Sequence, residues 1–102
     1  MAKLVQLIGY GFMHWCPACG DQHLFYTQVK TKSGALWSFD NNFEQPTFTP
    51  SMVITYPAVK WNDKEFPERR CHYILRHGKI VYLGDSTHHL AGRTIDLPDF
   101  PG

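Results

Sequence analysis

Short apolar runs separated by turn residues organise this chain, and no window sustains the 3.6-residue period of a long amphipathic helix. Lys3-Leu4-Val5-Gln6-Leu7-Ile8 predicts a first strand. His23-Leu24-Phe25-Tyr26-Thr27-Gln28-Val29 alternates weakly and is rich in aromatic and β-branched residues, which predicts a second. Lys32-Ser33-Gly34 reads as a turn from which Ala35-Leu36-Trp37-Ser38-Phe39 returns, and Asp40-Asn41-Asn42 is loop chemistry. In Pro46-Thr47-Phe48-Thr49-Pro50-Ser51 two prolines keep the backbone extended and remove ladder donors, and Met52-Val53-Ile54-Thr55-Tyr56 follows as a clear strand. The polar segment 57–70 is expected to be a mobile loop or insertion. Residues 71–75 and 79–83 flank Arg76-His77-Gly78, the strongest hairpin signal in the chain. Asp85 or Ser86 is placed to cap one short helical turn ending at Gly92, and Thr94-Ile95-Asp96-Leu97 closes the series as a last strand. The expected fold class is mostly β, with a small α+β variant possible: one zinc-stabilised domain over 1–102, built on a zinc knuckle and antiparallel hairpins.

The chemistry concentrates in His14-Trp15-Cys16-Pro17-Ala18-Cys19-Gly20. Two thiolates on a tight turn, followed by a glycine that tolerates the left-handed backbone, make half of a tetrahedral zinc site. Cys71, His72 and His88 are the candidates for the other half. Cys71 and His72 are neighbours on a predicted strand, so their side chains leave on opposite faces and a regular strand offers only one of them to a given metal. Asp85, three residues before His88, is suited to hold a histidine's second ring nitrogen; its alternative role is a helix cap. His23 is a further outer partner, and with His14 and His89 it stands in reserve as a ligand. His77 falls in the predicted turn and is expected to face solvent. The aromatics Trp15, Phe25, Trp37, Phe39, Phe43 and Phe48 are expected to pack the core and the knuckle.

Composition narrows the function. With 102 residues, a chain of this size buries only roughly two-thirds of its unfolded surface, so a structural metal supplies a sizeable share of stability. A formal charge of +1 gives no general field for nucleic acid. Three cysteines are too few, and odd in number, for a disulfide-stapled secreted scaffold. Neither a signal peptide nor a membrane span is expected: the apolar run at 4–8 is short and is broken by Gln6, Gly9 and Gly11.

Over nearly its whole length the chain resembles a family of small proteins common in tailed phages and prophages, some of which carry the label "ammonia monooxygenase". The motifs are Trp15-Cys16-Pro17-Ala18-Cys19-Gly20 with His23, the Pro46-to-Ser51 run, Cys71-His72, and Gly84-Asp85-Ser86-Thr87-His88-His89-Leu90-Ala91-Gly92 leading into Thr94-Ile95-Asp96-Leu97-Pro98. The family pattern usually has Cys where this chain has Ser86, which argues against position 86 as an indispensable ligand. The resemblance implies a phage-encoded protein of the host cytoplasm with a metal site built from Cys16, Cys19, Cys71 or His72, and His88. It implies no reaction.

The expected function is therefore a zinc-binding accessory module that acts by binding a host or phage protein. A zinc-dependent hydrolase with an open metal position near His72, Asp85 and His88 is the second reading, and a single-stranded nucleic-acid-binding module the third. Neither a His-Glu-x-x-His helix nor a deaminase signature is present. Cys71 and His88 can be written as nucleophile and base, but so can any Cys and His.

Overall fold

The computed structural model describes residues 2–101. In chain order the strands are β1 (Val5–Leu7), β2 (Gly11–Cys16), β3 (Asp21–Tyr26), β4 (Ser38–Phe39), β5 (Phe48–Thr49), β6 (Met52–Tyr56), β7 (Val59–Trp61), β8 (Lys64–Phe66), β9 (Arg69–Arg76), β10 (Lys79–Tyr82) and β11 (Thr94–Asp96). The mostly-β expectation holds: every pairing is antiparallel and there is no helix among the described residues, so none crosses a membrane. Strands β1-β2-β3 form one sheet and β11-β10-β9-β6 a second, with β4-β5 and β7-β8 as two-stranded ribbons.

Alternation along the strands decides what is buried. In β9, Cys71, Tyr73 and Leu75 are buried while Arg70, His72 and Ile74 are not; in β2, the buried set includes Phe12, His14 and Cys16. These faces meet, together with Phe25, Ile80 and Tyr82, so the core lies between the two main sheets. Phe25 and Phe48 stack with centroids 4.2 Å apart, and Phe39 extends the stack at 4.7 Å from Phe48. Of the aromatics expected inside, Phe43 is exposed, although its ring meets Phe12 and Phe39.

Three elements differ from expectation. β2 was not anticipated, because its inward positions carry His14 and Cys16 and the residue opening it is Gly11, which hides the apolar alternation. Within segment 57–70, residues 59–66 form a hairpin, β7-β8, turned by Asn62 and Asp63 at φ 50° and 61°, and Arg69 and Arg70 already open β9. Its strand residues are all exposed, so burial left no pattern to read. The helical turn after Gly84 does not form; the Leu83 and Thr87 amides instead donate to the His72 and Arg70 carbonyls, extending the edge of β10 alongside β9.

Gly11 illustrates a close approach that no other residue permits. A Cβ there would stand 1.8 Å from the Phe25 carbonyl oxygen on β3. Gly11→Ala is expected to destabilise the protein by about 3 kcal/mol, at the upper end of overpacking costs, measurable by denaturant unfolding. An unchanged midpoint would show that β2 and β3 can separate at no cost.

Candidate active site and metal cluster

Two clusters of chemically reactive side chains share one strand. Because successive side chains on β9 leave on opposite faces, Cys71 enters the space between the sheets and His72 the other side.

On the His72 face, β6 and β9 pair with Val53 opposite His72, which puts Ser51 diagonally within reach of the imidazole. The Ser51 hydroxyl lies 3.1 Å from His72 Nε2. His72 Nδ1 lies 3.0 and 3.1 Å from the two carboxylate oxygens of Asp85. The tautomer follows from the partners: a carboxylate only accepts, so Nδ1–H donates to Asp85 and Nε2 is left to accept the Ser51 proton. The hydrogen bond from His72 holds the Asp85 carboxyl below its ordinary range, and the Arg70 guanidinium is 3.7 Å away. The backbone of His72 is fixed by Ser86, whose hydroxyl accepts the His72 N–H at 3.0 Å and donates to the His72 carbonyl at 3.1 Å. Thr87 Oγ1 likewise accepts the Arg70 N–H at 2.9 Å. Serine, imidazole and carboxylate in this order form a relay that can activate a hydroxyl as a nucleophile.

On the other face, the sulfurs of Cys16, Cys19 and Cys71 all lie within 4.8 Å of one another, close enough to hold one metal ion. Cys16 ends β2 and Cys71 belongs to β9, so the cluster joins the two main sheets; their sulfurs are 4.0 Å apart. The knuckle closes as its sequence requires, with the Gly20 N–H donating to the Cys16 carbonyl and Gly20 at φ 62°. The Tyr82 hydroxyl reaches Cys16 Sγ at 3.1 Å. Hydrogen bonds from Cys19 and Cys71 favour the Cys16 thiolate; once that charge is in place, it pushes Cys19 up to about 11 and Cys71 up as well. Three thiols this close ionise together only when a cation balances them.

His88 borders the same cavity, of about 170 Å³, as Cys19 and Cys71. Its Nε2 is buried without a hydrogen-bond partner. That unpaired nitrogen makes His88 the candidate fourth ligand, but it stands outside the group of ligand atoms that lie within 4.8 Å of one another, so ligation requires its ring to move toward the sulfurs. Ligation by Nε2 places the ring proton on Nδ1, which here accepts the Leu90 amide at 3.2 Å, so metal binding gives up that contact.

Of the expected ligands, the structure thus groups Cys16, Cys19 and Cys71, sets His88 beside them, and places His72 elsewhere. His72 is a correction: strand alternation allows only one of the pair to face the sulfurs, and its ring is engaged by Ser51 and Asp85. Asp85 does hold a histidine's Nδ1, but that histidine is His72 rather than His88. His23 is buried, with Nδ1 3.1 Å from the Tyr73 hydroxyl and Nε2 3.4 Å from the Tyr56 hydroxyl. Tyr73 also reaches His14 Nε2 at 2.6 Å, and burial lowers His14 to about 4. Burial lowers His23 as well, so in both rings it favours the neutral form, and the two imidazoles belong to one buried polar chain through Tyr73. Ser86 belongs to the backbone of His72 and not to the sulfur group.

Ser51 was not anticipated as a functional residue. It closes the Pro46-to-Ser51 motif, but serine is too common for one position to mark a nucleophile, and only the β6–β9 register brings it to His72. A family model described as "Bacterial ubiquitination-like system serine protease (BubE)" matches residues 4–83. The chain belongs to the BubE family. The BubE match spans all three cysteines, Ser51 and His72, whereas Asp85 and His88 lie just past it. Comparison with curated proteins and with solved structures finds no match.

Proposed function

We propose that this chain is a serine protease in which Ser51 is the nucleophile, His72 the general base and Asp85 the residue that orients it. The observation that carries this is the relay itself: Ser51 Oγ to His72 Nε2 at 3.1 Å and His72 Nδ1 to Asp85 at 3.0 Å. The description of the BubE family supports it. His72 takes the Ser51 proton as Oγ bonds to the substrate carbonyl carbon. The same proton then passes from Nε2 to the leaving amine as the peptide C–N bond breaks, leaving an acyl ester on Ser51. Water, deprotonated by His72, releases the acid and restores the serine.

The metal is proposed to be zinc, since three thiolates with one imidazole form the borderline-soft, four-donor set of a closed structural site. Cys16, Cys19, Cys71 and His88 would hold it. Its task is to anchor β9 from behind while His72 works on the opposite face.

A fluorophosphonate probe tests the nucleophile. It is expected to form one covalent adduct per chain, mapped to Ser51 by peptide mass spectrometry and absent from Ser51→Ala. A chain that takes no label, or takes it elsewhere, overturns the protease reading.

A further inference from the structure

Strand β6 is an edge of its sheet, and β3 is an edge of the other. The direction of their free peptide groups follows from their neighbours. His72 spends its N–H on Ser86 Oγ and its carbonyl on the Leu83 amide; Arg70 spends both on Thr87. The N–H and C=O of one residue in an antiparallel ladder point to the same side, so these groups face away from β6. Val53 and Thr55, opposite His72 and Arg70, are therefore non-hydrogen-bonded partners whose own peptide groups point out of the sheet edge. Ser51 shares that parity, and its carbonyl accepts the Trp37 indole N–H at 3.3 Å. On β3, the Tyr26 carbonyl accepts the Trp37 amide at 2.8 Å and the Gln22 amide donates to the Asp21 carboxylate, so Leu24 between them also points outward.

Trp37 thus bridges the two edges at one end. Past it, a groove of about 650 Å³ runs between β3 and β6, bordered by His23, Leu24, Met52, Ile54 and Tyr56, with Ser51 on its wall. No strand pairs with the outer side of β6 or β3 among the described residues.

We propose that the substrate is an extended polypeptide segment that enters this groove as an added strand on β6, exchanging hydrogen bonds with Val53 and Thr55; this rests on the protease reading. Alternate residues of a strand repeat at about 6.8 Å, so two outward residues of β6 engage two alternate residues of an incoming chain. Ser51 lies one step further on the same edge, where Trp37 already occupies its carbonyl, so the added strand pairs as far as Val53 and meets Ser51 through its hydroxyl. A small ester or a rigid folded surface leaves the Val53 and Thr55 groups unmet. The wall at His23, Leu24, Met52, Ile54 and Tyr56 carries no fixed charge, and the one carboxylate on the groove is Asp21 on β3, so uncharged substrate side chains are favoured along β6.

Val53→Pro tests this. It deletes an outward N–H and leaves the β6–β9 ladder, in which that group takes no part. The readout is the rate of cleavage of β-casein, an unfolded polypeptide, divided by the same chain's rate of fluorophosphonate labelling. Loss of a backbone hydrogen bond to substrate is expected to lower this ratio about tenfold. An unchanged ratio overturns strand addition, as does a wild-type chain that labels at Ser51 yet leaves β-casein whole; both outcomes leave the protease reading standing. A wild-type chain that takes no label removes both. If Val53→Pro does not fold, amide hydrogen exchange in Ser51→Ala with β-casein decides: slowed exchange at Val53 and Thr55 is expected, and unaltered exchange overturns the proposal.

Discussion

Asp85→Asn is expected to slow acylation of Ser51 by about 10³- to 10⁴-fold while metal content and melting temperature stay at wild-type values. The carboxylate accepts from His72 Nδ1 through both oxygens, which keeps the ring proton on Nδ1 and the lone pair on Nε2 toward Ser51. An asparagine turns a donor toward Nδ1 and favours the opposite tautomer, in which Nε2 carries a proton and cannot take another. The Asp85 side chain is half exposed, so its exchange for a neutral isostere costs the fold little. Time courses of fluorophosphonate labelling, read beside elemental analysis and thermal melts, check this. An undiminished rate would remove Asp85 from the mechanism, and loss of the fold would give it a structural task instead.

Cys16→Ser is expected to abolish stoichiometric metal binding and to lower the melting temperature by roughly 12–24 °C, the equivalent of about 3 kcal/mol or more in a chain of this size. A serine hydroxyl does not replace a thiolate on a soft-ligand metal, and Cys16 lies wholly buried where β2 meets the second sheet. Chelation of the wild-type metal at neutral pH is expected to move the melt in the same direction. Acylation of Ser51 then falls along with stability, because His72 rides on the strand that Cys71 anchors. If Cys16→Ser retains one metal per chain and an unshifted melt, the cluster is not a metal site.

How far the sequence could be read depended on whether the signal was local. The hairpin at 76–79 was legible because two apolar runs flank a glycine, and the structure turns there with His77 at φ 50° and Gly78 at φ 73°. The knuckle was legible from spacing alone, since Cys16, Pro17, Ala18, Cys19 and Gly20 contain their own turn. β2 was hidden because its buried positions hold His14 and Cys16, polar residues that count as inward only when Tyr73, Tyr82 and the other cysteines are known to wait opposite. The Ser51–His72–Asp85 relay spans three separate segments and has no internal spacing to recognise; it exists only through strand register. Even so, alternation had already stated that Cys71 and His72 cannot serve the same centre. What it left open was that each would have a centre of its own.

That adjacency constrains how the chain can vary. A strand has a period of two residues, so a single insertion or deletion within β9 exchanges its faces, sending a thiol toward Ser51 and an imidazole toward the sulfurs. Both centres would be lost in one event, with no intermediate in which either survives. The two-residue turn at His77 and Gly78 pins this register from the other side, pairing Arg76 with Lys79 and Tyr73 with Tyr82. Among descendants of this chain, the spacing from Cys71 to Lys79 should therefore be inherited at fixed length, while the exposed β7-β8 ribbon just upstream is free to lengthen or disappear.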